Sequence, residues 1–208
     1  MSVATSVVAS ATEADVDSAW HDGWWSAARR CDSPNFGARP AGMAVDLAIV
    51  HSISLPPGVY GGDAIERLFT NRLDWDAHPY FQQICGATVS AHFVVRRHGD
   101  LLQFVSCDAR AWHAGVSRWG GRENCNDFSI GIELEGLEGF TFESAQYLQL
   151  ARLLRELAQQ HPLAAVAGHE HVAPGRKADP GAGFDWRRLM ALLDWPDRYF
   201  PVDVTKRF

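Results

Sequence analysis

The sequence predicts a single α/β domain, on the strength of three stretches. Val45 to His51 is a short, nearly continuous apolar run rich in β-branched side chains, the pattern of a strand buried on both faces. Ser129 to Glu135 alternates strictly, with Ile130, Ile132 and Leu134 on one face and Gly131, Glu133 and Glu135 on the other. One face of that strand enters a core while the other offers carboxylates. From Glu143 to Gln160 the residues Tyr147, Leu150, Ala151, Leu154, Leu157 and Ala158 recur at helical spacing, so an amphipathic helix covers the sheet. With 208 residues and 47% hydrophobic content, the chain can bury one sizeable core, and its length gives no reason to expect a second.

The remaining elements follow in chain order. Residues 1–19 hold small apolar residues with no positive flank, and Glu13, Asp15 and Asp17 interrupt them, so a disordered tail is expected there rather than a signal peptide. The domain proper then spans residues 20–195. His51 stands at the exit of the first long strand, and the breakers Pro56, Pro57, Gly58, Gly61 and Gly62 open a long connection in which only Asp63 to Phe69 reads as helical. Connections of that length usually cover a site. Val89 to Arg96 and Leu101 to Ser106 flank His98-Gly99-Asp100, a hairpin signal, and should pair antiparallel. His161-Pro162 ends the amphipathic helix, and a short strand from Ala165 to Gly168 delivers His169. A Pro/Gly-rich loop from Pro174 to Gly183 leads to a last helix capped by Asp185, and residues 196–208 read as an irregular tail.

Charge and composition exclude several partners. Nineteen basic against 25 acidic residues give a net charge of -6, so no global basic field gathers nucleic acid. No apolar run approaches the roughly 18 to 20 residues of a membrane helix, and no membrane partner is expected. The four cysteines, Cys31, Cys85, Cys107 and Cys125, form no C-x-x-C pair and read as reduced thiols. A cytoplasmic setting and a monomer are expected.

His51, His169 and Asp179 stand out by position, two at strand ends and one in the loop that follows, where rigid scaffolds hand side chains to a site. Two imidazoles and a carboxylate form a ligand set for catalytic zinc, with the fourth position left to a water that serves as nucleophile. Hydrolysing an amide also needs a carboxylate to move a proton and a cation to meet an oxyanion, roles for which Glu133 and Lys177 are the candidates. With nine histidines in the chain, any one is more often a surface or satisfied core residue than a ligand. Spacing alone does not assemble these residues into one site. His92, inside a strand, reads as an inward, hydrogen-bonded structural residue, and His171 as a loop residue outside the site.

Four colinear blocks do connect them: Ile49 to Gly58, Arg110 to Ser117 with its Trp112-His113-Ala114-Gly115 core, Cys125 to Gly136, and Gly168 to Gly181. Together, over about Asp22 to Leu193, they resemble the type 2 N-acetylmuramoyl-L-alanine amidases, a family related to peptidoglycan recognition proteins. The resemblance implies a mixed central sheet flanked by helices, with one Zn2+ per chain held over a sheet face. Residue by residue, it implies His51, His169 and Asp179 as zinc ligands, Glu133 as the catalytic glutamate and Lys177 as the residue that stabilises the transition state. The implied reaction is cleavage of the amide between 1,6-anhydro-N-acetylmuramic acid and L-alanine, with an anhydro-muropeptide as substrate, in cytoplasmic peptidoglycan recycling.

Substrate contacts are expected from Trp112 and His113, which would shape a groove, and from Arg110 and Arg122, whose guanidinium groups suit stem-peptide carboxylates. Ser52, Thr88 and Asn124 depart from the family pattern, which has asparagine at the first and arginine at the other two; these changes touch peptide binding and leave metal and catalysis alone. Two alternatives stand beside this reading: a broader amidase acting on intact peptidoglycan, and a non-catalytic peptidoglycan-binding module, which would lack the full ligand set.

Overall fold

The computed structural model describes residues 19–205, so the N-terminal stretch expected to be disordered lies, apart from Ala19, outside the described residues. Six strands make one mixed sheet: β1 (Arg29–Arg30), β2 (Leu47–Ile53), β3 (Phe93–Val95), β4 (Leu101–Gln103), β5 (Ser129–Glu135) and β6 (Ala165–Gly168). Their order is β6-β2-β5-β3-β4-β1. β2 runs parallel to both β6 and β5, β5 parallel to β3, β4 parallel to β1, and the β3–β4 hairpin is antiparallel. Helices are α1 (Ala64–Phe69), α2 (Pro79–Gln83), α3 (Ser144–Gln160), α4 (His169–Val172), α5 (Trp186–Leu193) and α6 (Val202–Thr205).

One sheet face is mainly apolar. Ala48 and Val50 of β2, Ile130, Ile132 and Leu134 of β5 and Val166 of β6 pack against Leu150, Leu153, Leu154 and Leu157 of α3 and Leu189 and Leu193 of α5. Burying each such leucine contributes about 1.5–3 kcal/mol, and this stripe is why α3 forms along its whole length. Gln146 joins the helix to the sheet from its first turn. Its side chain accepts the Glu143 N–H at 3.0 Å and donates to the carbonyls of Glu135 at 3.0 Å and Val95 at 3.3 Å.

The opposite face carries two apolar patches. Leu55, Phe69, Phe81, Val94, Leu102 and Phe104 form one with α1 and α2. Leu47, Ile49, Ala114, Phe128, Ala167 and Val172 form the other. His51 follows Ile49 along β2, and Glu133 of β5 pairs with Val94 of β3, so the polar residues of this face fall where the two patches adjoin.

Differences from expectation have local causes. β2 continues to Ile53, which puts His51 inside the strand rather than at its exit. The hairpin strands are shorter than expected. The long connection also holds a 3-10 turn at Trp75–Ala77 and the helix α2, in which Pro79 fills the first turn and His78 Nδ1 accepts the Tyr80 N–H at 3.1 Å. Asp185 caps α5 as expected, accepting the Arg188 N–H at 3.0 Å. The segment expected to be irregular after Trp195 holds a 3-10 turn at Asp197–Tyr199 and then α6. No helix among the described residues is long and apolar enough to cross a membrane.

Candidate metal centre and active site

Strand parity and register assemble the centre. In the parallel β2–β5 pair His51 lies directly opposite Glu133, so both side chains rise from the same sheet face on neighbouring strands. On the other side of β2, Gly168 of β6 pairs with Val50, and the next residue, His169, is level with His51 as α4 begins. Asp179 returns from the loop after α4, where its carbonyl accepts the Glu170 N–H at 2.9 Å. Three of the four positions are thus set by rigid backbone, which is what a precise site requires.

Three ligand-type atoms converge. His51 Nδ1 lies 2.9 Å from His169 Nδ1 and 3.2 Å from Asp179 Oδ2, and His169 Nδ1 lies 3.1 Å from the same oxygen. Both imidazoles are almost fully buried and the Asp179 side chain is 13% exposed. Ligand atoms around a tetrahedral zinc lie roughly 3.3–3.5 Å apart, given bonds of about 2.0–2.2 Å, so the spacing suits such an ion. His169 Nε2 sits 3.1 Å from the Ala114 carbonyl, which can only accept. The ring proton is therefore on Nε2, and Nδ1 turns a bare lone pair toward a carboxylate oxygen. Such a crowd of acceptors is stabilised by a cation, and among the described residues this is the one group of His, Cys, Asp or Glu side chains close enough to hold one. Burial, opposed by the neighbouring Asp179 carboxylate, pushes His51 down to about 4 and keeps it neutral at pH 7, as a ligand must be.

Glu133 is the adjoining acid–base group. Its Oε2 is buried without a hydrogen-bond partner. Burial and then the Asp179 charge push its carboxyl well above the ordinary carboxylate range, while Lys177 opposes them. A buried carboxylate left without a partner costs free energy unless something else uses it, the pattern of a group held ready for proton transfer. Glu133, Lys177 and the three ligand-type residues line one cavity of about 210 Å³, together with Ser52, Ser90, Trp112 and His113. It adjoins a larger cleft of about 430 Å³ that shares Ser52, Val89, Lys177 and Asp179 and continues past Leu55, Tyr80 and Leu137.

The expected substrate residues separate into two pairs. Trp112 and His113 line the cavity. Arg110 and Arg122 do not: Arg110 pairs with Asp127 at 2.8 Å, and Arg122 pairs with Asp46 at 2.8 Å while lying over the Phe128 ring. Both guanidinium groups thus lie outside that cavity, each paired with a carboxylate of the chain itself. His92 is fully buried, and its Nδ1 accepts the Gly131 N–H at 3.0 Å, as a structural histidine should. His171 belongs to α4 rather than to a loop, and its Nδ1 accepts the Gly168 N–H at 2.8 Å. The sequence reading missed Arg176, which donates to the carbonyls of Ala114 at 2.5 Å and Val116 at 3.0 Å and so holds the carbonyl that orients His169. No periodicity could have revealed it, since its partners are more than fifty residues away.

Known proteins resemble this chain in sequence and in fold. A family model described as N-acetylmuramoyl-L-alanine amidase matches residues 41–182. The 1,6-anhydro-N-acetylmuramyl-L-alanine amidase AmpD of Salmonella typhimurium strain SL1344 is 51% identical over 173 residues, covering 82% of this chain and 92% of its own. A crystal structure of a selenomethionine AmpD derivative superposes with a TM-score of 0.81 at 50% identity, over 83% of this chain and 98% of that one. More distant, at 28% identity and a TM-score of 0.52, is Escherichia coli AmiD in complex with the substrate anhydro-N-acetylmuramic acid-L-Ala-D-gamma-Glu-L-Lys, covering 74% of this chain and 60% of that one.

Proposed function

The chain belongs to the N-acetylmuramoyl-L-alanine amidase family, and from that premise we propose that it hydrolyses the amide between 1,6-anhydro-N-acetylmuramic acid and the L-alanine of muropeptides, using one zinc ion per chain. The reading rests above all on one observation: His51, His169 and Asp179 converge beside a Glu133 oxygen that has no partner. A non-catalytic binding module has no use for that carboxylate.

Zinc held by the three residues would supply a Lewis acid that lowers the pKa of water from about 15.7 to about 7. The rest falls to side chains of the chain. Glu133 accepts the proton of the attacking water and returns it to the departing alanine nitrogen as the C–N bond breaks. Lys177, on the exposed loop beside Asp179, offers ammonium donors to the carbonyl oxygen as charge builds on it. Products are the lactyl carboxylate on the sugar and a stem peptide with a free amine, so atoms and protons balance with water alone. The adjoining cleft, which runs from Asp179 past Leu55, Tyr80 and Leu137, gives the uncharged sugar an apolar stretch to rest on.

A cytoplasmic setting and a monomer go with this reading; cell fractionation and analytical ultracentrifugation test them. The central test incubates purified protein with anhydro-muramyl tripeptide, with and without a chelator. Release of the tripeptide that stops on chelation and returns with added zinc is the expected result. Release at the same rate under both conditions would remove the zinc reading. Digestion of purified sacculi at a comparable rate would instead favour an amidase of intact peptidoglycan.

A further inference from the structure

His113 was expected to shape the substrate groove, yet its ring sits against His51. Its Nδ1 lies 3.0 Å from His51 Nε2, the nitrogen turned away from the converging ligand atoms, and the two rings meet edge to face at 5.1 Å. Room for the ring comes from Gly131 on β5, where a Cβ would stand 2.4 Å from His113 Cγ. On the far side, His113 Nε2 lies 3.4 Å from Ser129 Oγ. Ser129 Oγ is itself 2.6 Å from the Cys125 carbonyl.

Polarity follows from the last link backward. The Cys125 carbonyl can only accept, so the Ser129 hydroxyl donates to it and leaves a lone pair toward His113. His113 Nε2–H donates into that lone pair, which leaves His113 Nδ1 as an acceptor. His51 Nε2–H then donates to His113 Nδ1, and His51 Nδ1 presents a bare lone pair to the site. His169 reaches the same state through a single carbonyl, that of Ala114.

We propose that His113 is a positioning residue for the metal centre: through the chain His51–His113–Ser129–Cys125 carbonyl it selects the His51 tautomer whose Nδ1 can ligate. This rests on the zinc reading of the site. A ligating imidazole held by a partner on its other nitrogen is fixed in both tautomer and orientation, and loss of such a partner typically weakens metal binding by about 10–100-fold. At 3.4 Å the Ser129 contact is the longest link, so removing it has a smaller effect than removing His113.

The full-length chain, stripped of metal, is titrated with zinc against a chromophoric chelator in the absence of any substrate, for the wild type and for His113→Phe, His113→Asn and Ser129→Ala. Phe keeps the ring without an acceptor, whereas Asn returns an oxygen near the Nδ1 position. The expected series is a ~10–100-fold loss of affinity for Phe, a smaller loss for Ser129→Ala and recovery of most of the loss by Asn. Nitrogen-15 spectra of the histidine rings in metal-free protein should show His51 protonated on Nε2 in the wild type and a tautomer mixture in Ser129→Ala. Wild-type affinity in both the Phe and Ala variants would overturn the proposal, as would an Asn variant that is folded yet binds as weakly as Phe. Should the Phe variant not fold, the affinity and spectra of Ser129→Ala decide the matter. Because no substrate is present, failure of the muropeptide assay would leave this series intact and is told apart from failure of the relay.

Discussion

Two glutamates stand two residues apart on the same face of β5 and meet opposite fates. Glu135 is 2% exposed and fully engaged: its carboxylate pairs with Arg96 at 2.8 Å and accepts the N–H groups of Gly61 at 2.7 Å and Arg97 at 3.3 Å. Arg96 in turn reaches Glu66 at 3.0 Å and the Gly62 carbonyl at 2.9 Å, so this cluster pins the glycine-rich start of the long connection to the sheet. Glu133, by contrast, has a buried oxygen with no partner and faces the converging His51, His169 and Asp179. The same residue type on the same strand is structural where both its oxygens are engaged and functional where one is left open.

The largest effect should come from breaking the open side of this comparison. Glu133→Gln keeps shape and burial but cannot take a proton, and a positioned general acid–base group is worth about 10²–10⁴-fold in rate. Muropeptide turnover should fall by that factor while zinc content by metal analysis and the melting temperature stay close to wild type. Loss of bound zinc in this variant would mean that Glu133 belongs among the ligands instead.

The closed side should fail differently. Glu135→Gln leaves Arg96 buried with Glu66 as its remaining carboxylate, and breaking a buried pair costs about 3 kcal/mol at the low end of its usual range. For a domain of this size that corresponds to a melting temperature lower by roughly 6–12 °C. Below that transition, turnover per folded molecule should remain at the wild-type value. A rate loss as deep as that of Glu133→Gln, in protein that still melts normally, would erase the distinction between the two glutamates.

How much of this was legible in the sequence differs between fold and site. The strands β2 and β5 and the helix α3 were readable because burial on one or both faces writes a period into the chain. β1, α2 and the tail helix α6 were not, since each is short and held by contacts distant in sequence. The alternation of β5 placed Glu133 and Glu135 on one face but could not tell them apart, because the partners that do so, Arg96, Gly61 and Asp179, arrive from three other segments. His51, His169, Asp179, Glu133 and Lys177 came together through the resemblance of four blocks. The contact of His113 with His51 was beyond reach, although Gly131 inside an otherwise regular strand hinted that something packs closely there.

The smallest effect concerns a charge whose partner the sequence also could not show. A free guanidinium near the site would be a natural anchor for a stem-peptide carboxylate, which is why Arg122 was expected to serve as one. In the fold its Nη2 donates to Asp46 at 2.8 Å, with the two side chains 42% and 26% exposed, and its guanidinium lies 3.8 Å above the Phe128 ring. Using it on substrate would require breaking the pair and leaving Asp46 alone, so the exchange gains little. Exposed pairs of this kind are worth about 0.2–1 kcal/mol, and Arg122→Ala should therefore lower stability by no more than about 1 kcal/mol and leave the KM for muropeptide unchanged. Chemical denaturation and steady-state kinetics on the one variant measure both quantities. A KM raised tenfold at unchanged kcat would show that the Asp46 pair opens on binding, and that an engaged charge, like an engaged glutamate, can still be recruited to substrate.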